Sequence, residues 1–350
     1  MTTQIQEVPS SSLVETVLDE YGAITRAALE DFLPRAEPRR HLYDLVADYP
    51  RRGGKMIRPS LCIATARAFG APLDDALQTA VSIELFHNAL LIHDDIEDES
   101  EERRGRPTLH KLHGVAMAIN AGDTLSLVAL RPLIANNQRL GPKLTMRLLA
   151  ETERMARESA EGQALELGWR RDNRTDLSDA DYLTMILKKT CWLATIYPSR
   201  VGAMIATRDR IDLDPFQRFG FFMGAAFQIQ DDLLNIVGSY EEYGKEISGD
   251  LWEGKRTLML IRLFELATAG EVERLKKILA GDREARSDED IEWMLDRMKA
   301  YNTIEYAAQV ARGLAGAALH EYDLIFSHLP ETRDKWFIQK LVFWMLERTR

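Results

Sequence analysis

The twelve residues His87-Asn88-Ala89-Leu90-Leu91-Ile92-His93-Asp94-Asp95-Ile96-Glu97-Asp98 decide how this chain is read. They close a stretch that starts at Leu73 and carries apolar side chains at Leu77, Ala80, Val81, Leu85, Ala89 and Ile92. That spacing is close to the 3.6-residue helical period, so Leu73 to Asp98 reads as one long helix ending in acids. Asp94 and Asp98 are four apart and share a helix face, with Asp95 about 100° round the axis. Acids at a helix C-terminus oppose the macrodipole at a cost of about 0.3–1 kcal/mol. Three carboxylates gathered there also repel one another. A hard cation relieves both penalties, and magnesium takes oxygen ligands, usually one or two carboxylates with substrate phosphates.

Outward from this segment the same helical period recurs over Leu144 to Trp169, Ala180 to Thr207, Pro215 to Val237, Thr257 to Thr268, Thr303 to Phe326 and Thr332 to Arg348. No alternating strand pattern with hairpin turns stands out, and no 30–45-residue repeat is present. The expected fold is all-α: a single large helical bundle of about a dozen helices over 1–350, with 1–12 a polar flexible tail. The 350 residues carry a net charge of −10. That balance argues against nucleic acid or an anionic membrane surface as the main partner. Two distant cysteines, Cys62 and Cys191, argue against a disulfide scaffold or zinc knuckle. Neither a membrane-length apolar run nor a secretory-signal pattern is found, so the expected location is the cytoplasm.

A second acidic helix end follows the logic of the first. Phe227-Gln228-Ile229-Gln230-Asp231-Asp232-Leu233-Leu234-Asn235 sets Asp231 and Asn235 on one face, after the apolar Phe219 to Ala226. Each acid cluster runs into a basic, glycine-containing segment. These are Arg103-Arg104-Gly105-Arg106-Pro107 after the first, and Gly244-Lys245 with Gly249 through Gly254-Lys255-Arg256-Thr257 after the second. Carboxylates for metal beside guanidinium and ammonium groups for phosphate oxygens suit a metal–diphosphate site. Arg51-Arg52-Gly53-Gly54-Lys55-Met56-Ile57-Arg58-Pro59 adds a basic cradle around a Gly-Gly turn. It lacks the P-loop pattern. Lys188-Lys189-Thr190 lies inside an otherwise apolar helix.

In this order and spacing, the chain resembles the trans-isoprenyl diphosphate synthases of the polyprenyl synthetase family. The resemblance rests on Gly53-Gly54-Lys55-x-x-Arg58-Pro59, Asp94-Asp95-x-x-Asp98, Arg103-Arg104-Gly105-x-Pro107 and Gly162-Gln163. Lys189-Thr190, Phe227-Gln228-x-x-Asp231-Asp232-x-x-Asn235 and Gly254-Lys255-x-Thr257 complete it. It implies an α-bundle around a central cavity, usually a homodimer. By resemblance, Asp94, Asp95, Asp98, Asp231, Asp232 and Asn235 hold three Mg²⁺ ions on an allylic diphosphate, and Mn²⁺ can substitute. Arg103, Lys189, Lys245 and Lys255 contact that diphosphate. Lys55, Arg58, His87 and Arg104 take isopentenyl diphosphate, and Thr190 and Gln228 line the reacting allyl group. The sequence departs from the family pattern at Met56, where a second basic residue is usual, and at Glu166 and Asn235, where Asp is common.

The chemistry fits this inventory. Loss of pyrophosphate from an allylic carbon needs its developing charge stabilised, which magnesium, Lys and Arg do without a nucleophilic side chain. Leu90 and Ala89 lie about 6–7.5 Å down the helix from Asp94, and Phe86 about 12 Å down. Neither Ala89 nor Leu90 is a bulky floor, so Phe86 is the expected one. That points to a C20 product, geranylgeranyl diphosphate, ahead of C15 and of C25 or longer. A class I terpene cyclase shares the acidic metal site but binds one diphosphate and needs no second cradle. A non-catalytic partner subunit would be expected to lose acids, whereas five of the six positions are Asp.

Overall fold

The computed structural model describes residues 10–237 and 248–347. The expected tail falls mostly outside these residues; Ser10 to Ser12 already belong to the first helix, α1 (Ser10–Leu29). Then follow α2 (Asp44–Arg51), α3 (Ile57–Ala68), α4 (Leu73–Glu97), α5 (Leu109–His113), α6 (Val115–Val128), α7 (Leu130–Ala135), α8 (Asn137–Leu140) and α9 (Pro142–Arg171). The chain continues through α10 (Asp179–Ile186), α11 (Tyr197–Thr207), α12 (Asp214–Val237), α13 (Gly249–Glu253), α14 (Leu258–Leu266), α15 (Ala269–Ala280), α16 (Asp288–Ala300), α17 (Thr303–Phe326) and α18 (Arg333–Glu347). The fold is all-α, as the periodicity implies. Its sheet content among the described residues is one two-residue ladder, β1 (Glu102–Arg103) with β2 (Arg106–Pro107). That ladder is a tight turn on Arg104 and Gly105, both at positive φ, and it was hidden in the basic loop after the first acids.

The long helices start and stop where local chemistry requires. Ser178 caps α10 and Ser287 caps α16, each in a capping box with the Asp three residues on. Pro142 occupies the first turn of α9, where its missing N–H costs nothing. α12 packs along α17, α6 along α4, and α3 against both α4 and α11. Phe69, Phe216, Phe219, Tyr322 and Phe326 form an aromatic cluster in the α12–α17 core, with ring centroids 4.9–6.5 Å apart. Cys62 and Cys191 are both buried and free. None of the described helices is long and apolar enough to cross a membrane.

The stretch Ala180 to Thr207 holds a surprise. It is not one α-helix: Leu187–Ile196 winds as a π-helix between α10 and α11. A π-helix is wider than an α-helix, and its long runs are uncommon. Its neighbours make room with glycines. A Cβ on Gly162 of α9 would stand 2.1 Å from the Lys189 backbone nitrogen, and one on Gly220 of α12 would stand 2.7 Å from the Ile196 Cα. The π segment is therefore clasped backbone to backbone on two sides. Lys189 and Thr190 sit within it.

Candidate active site

α4, α9, the π segment and α12 surround a cavity of about 1090 Å³. Both acidic helix ends line it, together with apolar residues such as Leu90, Met185, Ile186 and Leu193. On α4, Asp94 and Asp98 line the cavity one turn apart. Asp94 lies 3.3 Å from Lys189 Nζ and 3.7 Å from Arg103 Nη2. Asp98 accepts from Arg170 Nη1 at 2.6 Å and pairs with Lys255 Nζ at 2.9 Å. Burial works against ionisation of both acids, but the surrounding Lys and Arg charges outweigh it and hold both carboxyls below the usual range. Glu166 and then Asp94 raise Lys189, and Asp98 and then Glu253 raise Lys255, although burial opposes those charges too.

Asp95 behaves differently. It is fully buried and does not line the cavity. The rotation of about 100° that separates it from Asp94 turns it toward α2. There it accepts the Tyr49 hydroxyl, and Arg103 donates Nε to it at 2.9 Å along with Nη2. The sequence places Asp95 among the ligands; the structure makes it the anchor that aims Arg103.

Asp231, Asp232 and Asn235 of α12 also line the cavity. Asp232 accepts from Tyr182 at 2.7 Å and from Gln228 Nε2 at 2.8 Å. Gln228 in turn accepts the Thr190 hydroxyl at 2.9 Å, so one amide joins Thr190 to Asp232. Burial, and then the charge of Asp250, push the Asp232 carboxyl up to about 7. Asn235 takes its backbone partner from α13: the Asp250 N–H donates to its Oδ1 at 3.0 Å. Lys255 also reaches Glu253 at 2.7 Å, and burial pushes that carboxyl up to about 7.

A third cluster faces the same space from α3, α4 and the ladder. Arg58, His87 and Arg104 line the cavity. Arg104 Nη1 donates to the Tyr49 carbonyl at 3.1 Å and to Asn88 Oδ1 at 3.2 Å. The Gly-Gly turn lies against it, since a Cβ on Gly54 would come within 3.0 Å of Arg104 Nη2. Burial lowers Arg58 to about 10 and His87 to about 4, so His87 is neutral near pH 7. Arg58 Nε and His87 Nδ1 are buried with no hydrogen-bond partner among the described residues. Buried donors of that kind call for an acceptor.

Comparison with known proteins decides the family. The model of the polyprenyl synthetase family matches residues 39–298. The chain belongs to the polyprenyl synthetase family. A short chain isoprenyl diphosphate synthase of Methanothermobacter thermautotrophicus is 38% identical over 74% of this chain and 77% of its own length. The geranylgeranyl pyrophosphate synthetase of Pyrococcus horikoshii superposes with a TM-score of 0.84 at 30% identity, covering 97% of this chain and 99% of that one. A geranylgeranyl pyrophosphate synthase of Corynebacterium glutamicum, solved with isoprenyl diphosphate and magnesium, gives 0.80 at 25% identity, over 97% and 100%.

The departures from the polyprenyl synthetase pattern have structural counterparts. Met56 sits at φ 56° before α3 and is buried, within 3.1 Å of where a Gly22 Cβ would be. An apolar side chain suits that place better than a second cation. Glu166 is long enough to reach the Lys189 ammonium. Lys55 is exposed, lies 5.5 Å from the Trp344 ring of α18 and does not line the cavity. Lys245 lies outside the described residues. Of the expected length-setting residues, Leu90 lines the cavity with Leu193 and Ser159; Phe86 and Ala89 are buried in the core and do not line it. Arg170, Glu253 and Tyr182 were missed by sequence reasoning. Each is an isolated charge or ring in its own segment, and only the fold brings it to Asp98, Lys255 or Asp232.

Proposed function

We propose that this chain is a trans-prenyltransferase that condenses isopentenyl diphosphate head-to-tail with an allylic diphosphate, using magnesium. One observation carries this reading: a single cavity holds two separate cationic clusters. Lys189, Lys255 and Arg103 lie between the facing acids, and Arg58, His87 and Arg104 lie on the other side. A cyclase has use for the first cluster only.

The acids fit a divalent ion in pairs. Among the described residues no three carboxylate, histidine or cysteine side chains gather as a metal cage. Asp94 with Asp98, and Asp231 with Asp232, instead offer one or two oxygens each, which is how magnesium is held beside substrate phosphates. Asp94, Asp98, Asp231 and Asp232 would hold it, with Asn235 at the edge and Asp95 behind. Magnesium, when bound, supplies charge neutralisation for the departing pyrophosphate.

The protein's own groups account for the rest. Lys189, Lys255 and Arg103 stand ionised where the allylic diphosphate's charge grows, which is preorganised electrostatic stabilisation. Arg58, His87 and Arg104 hold the second diphosphate, orienting its double bond toward the allylic carbon. Thr190 and Gln228 border the reacting carbons, tied to each other and to Asp232. The apolar wall of Leu90, Met185, Ile186 and Leu193 excludes water from the allylic cation and receives the growing chain.

With Leu90 in that wall and no aromatic four or five residues before Asp94, the expected product is C20 geranylgeranyl diphosphate, with C15 and C25 or longer as the rival lengths. Leu112, Val115, Ile119, Leu127, Ile134 and Met146 are large exposed apolar side chains on α5, α6, α7 and α9. They suit a homodimer face on a single-domain cytoplasmic chain, and light scattering of wild type and Leu127→Glu tests it. The deciding experiment incubates the protein with isopentenyl diphosphate, each allylic primer and Mg²⁺, then sizes the products. Chain-extended diphosphates are expected. Products formed equally without isopentenyl diphosphate would refute the elongation reading in favour of a cyclase.

A further inference from the structure

Behind the Arg58, His87 and Arg104 cluster lies a carboxylate that sequence reasoning gave no role. Glu84 is on the buried side of α4, 2% exposed, a turn before His87 and Asn88. Positions i, i+3 and i+4 share a helix face, so Glu84, His87 and Asn88 point the same way. Glu84 Oε1 accepts Asn88 Nδ2 at 2.9 Å, and the same nitrogen donates to the Glu84 carbonyl at 2.7 Å. With its nitrogen held there, Asn88 presents its oxygen to Arg104 Nη1 at 3.2 Å. The other carboxylate oxygen, Oε2, lies 3.7 Å from His87 Nδ1, close enough for electrostatic contact and too long for a hydrogen bond.

The charges follow the same pattern. Arg58 and Arg104 are half-buried and repel each other, and Glu84 is the negative group that acts on both. Burial disfavours its ionisation, but His87, Arg104 and Arg58 together keep the Glu84 carboxyl below its usual range. Two desolvated guanidinium groups facing one cavity would otherwise be driven apart or outward. Glu84 is behind them rather than among the lining residues, so it can steady both without occupying the ligand's space.

We propose that Glu84, acting through Asn88 on Arg104, by charge on Arg58 and by its closeness to His87, is a positioning residue for the second diphosphate. This deepens the functional reading above and rests on it, since it assigns that cluster to isopentenyl diphosphate. Glu84 touches no reacting atom. Its effect belongs to the affinity of one substrate.

The test is steady-state kinetics of Glu84→Gln with each substrate varied separately. Glutamine keeps an acceptor for Asn88 and removes the charge. The expected result is a KM for isopentenyl diphosphate raised about tenfold or more, the scale of a lost charge-assisted contact. The KM for the allylic diphosphate and kcat stay within about twofold, and Glu84→Asp recovers part of the loss. Asn88→Ala, which removes the link between Glu84 and Arg104 but keeps the Glu84 charge beside Arg58, gives a smaller rise of the same selectivity, and carries the test if Glu84→Gln does not fold. An unchanged KM for isopentenyl diphosphate, or equal shifts for both substrates, overturns the proposal. Calorimetric titration with isopentenyl diphosphate alone separates the two readings. A wild-type chain that binds it but gives no product once an allylic primer and Mg²⁺ are added refutes the functional reading, while the affinity ratio of variant to wild type still decides the role of Glu84.

Discussion

Replacing Gly162 by alanine adds one methyl group at the point where α9 meets the π segment. That methyl would lie 2.1 Å from the Lys189 nitrogen, 2.6 Å from its Cα and 2.8 Å from the Lys188 carbonyl carbon. All three are backbone atoms, so no side chain can swing aside. Bringing these contacts to about 3 Å or beyond moves the two helices apart by roughly 1 Å, and overpacking of this kind costs about 1–3 kcal/mol. Lys189 moves with its backbone, away from Asp94 and Glu166. A misplacement of about 1 Å at a reacting centre can cost about 10²-fold in rate. The assay is kcat for condensation together with the thermal midpoint. Gly168→Ala on the same helix is the control, because a Cβ there meets nothing within 4 Å. In a helix interior that change should be neutral or stabilising by about 0.5–1 kcal/mol. If Gly162→Ala keeps kcat within threefold and melts like Gly168→Ala, the clasp does not position Lys189 and the argument fails.

Three further outcomes follow from the geometry. Asp98→Asn should lower kcat by about 10² or more, because it removes the carboxylate that Arg170 and Lys255 share and weakens metal retention; Mg²⁺ dependence of the rate reads both, and near-normal turnover contradicts the site. Leu90→Ala removes a side chain from the cavity wall and should shift products upward by one isoprene unit. Phe86→Ala acts through the core, so the double variant lengthens further; chromatography of dephosphorylated products decides, and unchanged lengths exclude this wall as the floor. The third outcome concerns pH. Burial lowers the His87 pKa to about 4, against about 6.5 when unfolded. Between those values the unfolded chain binds the extra proton, so this group's contribution to stability falls as pH drops from about 6.5 to 4, by about 3 kcal/mol. Asp232 and Glu253, raised to about 7, work in the opposite sense over about 4–7, so the quantity to measure is the difference between wild type and His87→Gln. A difference that does not change with pH between 4 and 6.5 rules out a buried neutral His87.

Much of the fold is legible because helical burial repeats locally. Thr303–Phe326 and the long helix from Leu73 fall where the 3.6-residue pattern puts them. The acid and arginine motifs are legible because charge on an apolar helix is conspicuous. What stayed hidden has a common cause. The π winding of Leu187–Ile196 keeps the same apolar residues as an α-helix would, so its pattern carries no sign of the extra width. The β1–β2 ladder is two residues long on each side, below any alternation that could be recognised.

The sequence by itself determined that two acidic helix ends and their following basic loops exist, because residue type and spacing are properties of the chain. Only the tertiary structure decided which charges meet. Asp94 and Asp95 are neighbours in sequence, yet one faces the cavity and the other anchors Arg103 with Tyr49. Lys55 is drawn to Trp344 across nearly the whole chain, and Glu84 serves Arg58 and Arg104 from behind. The reason is physical: a charge's partner and hydration depend on direction and depth, which packing sets and a linear order does not contain.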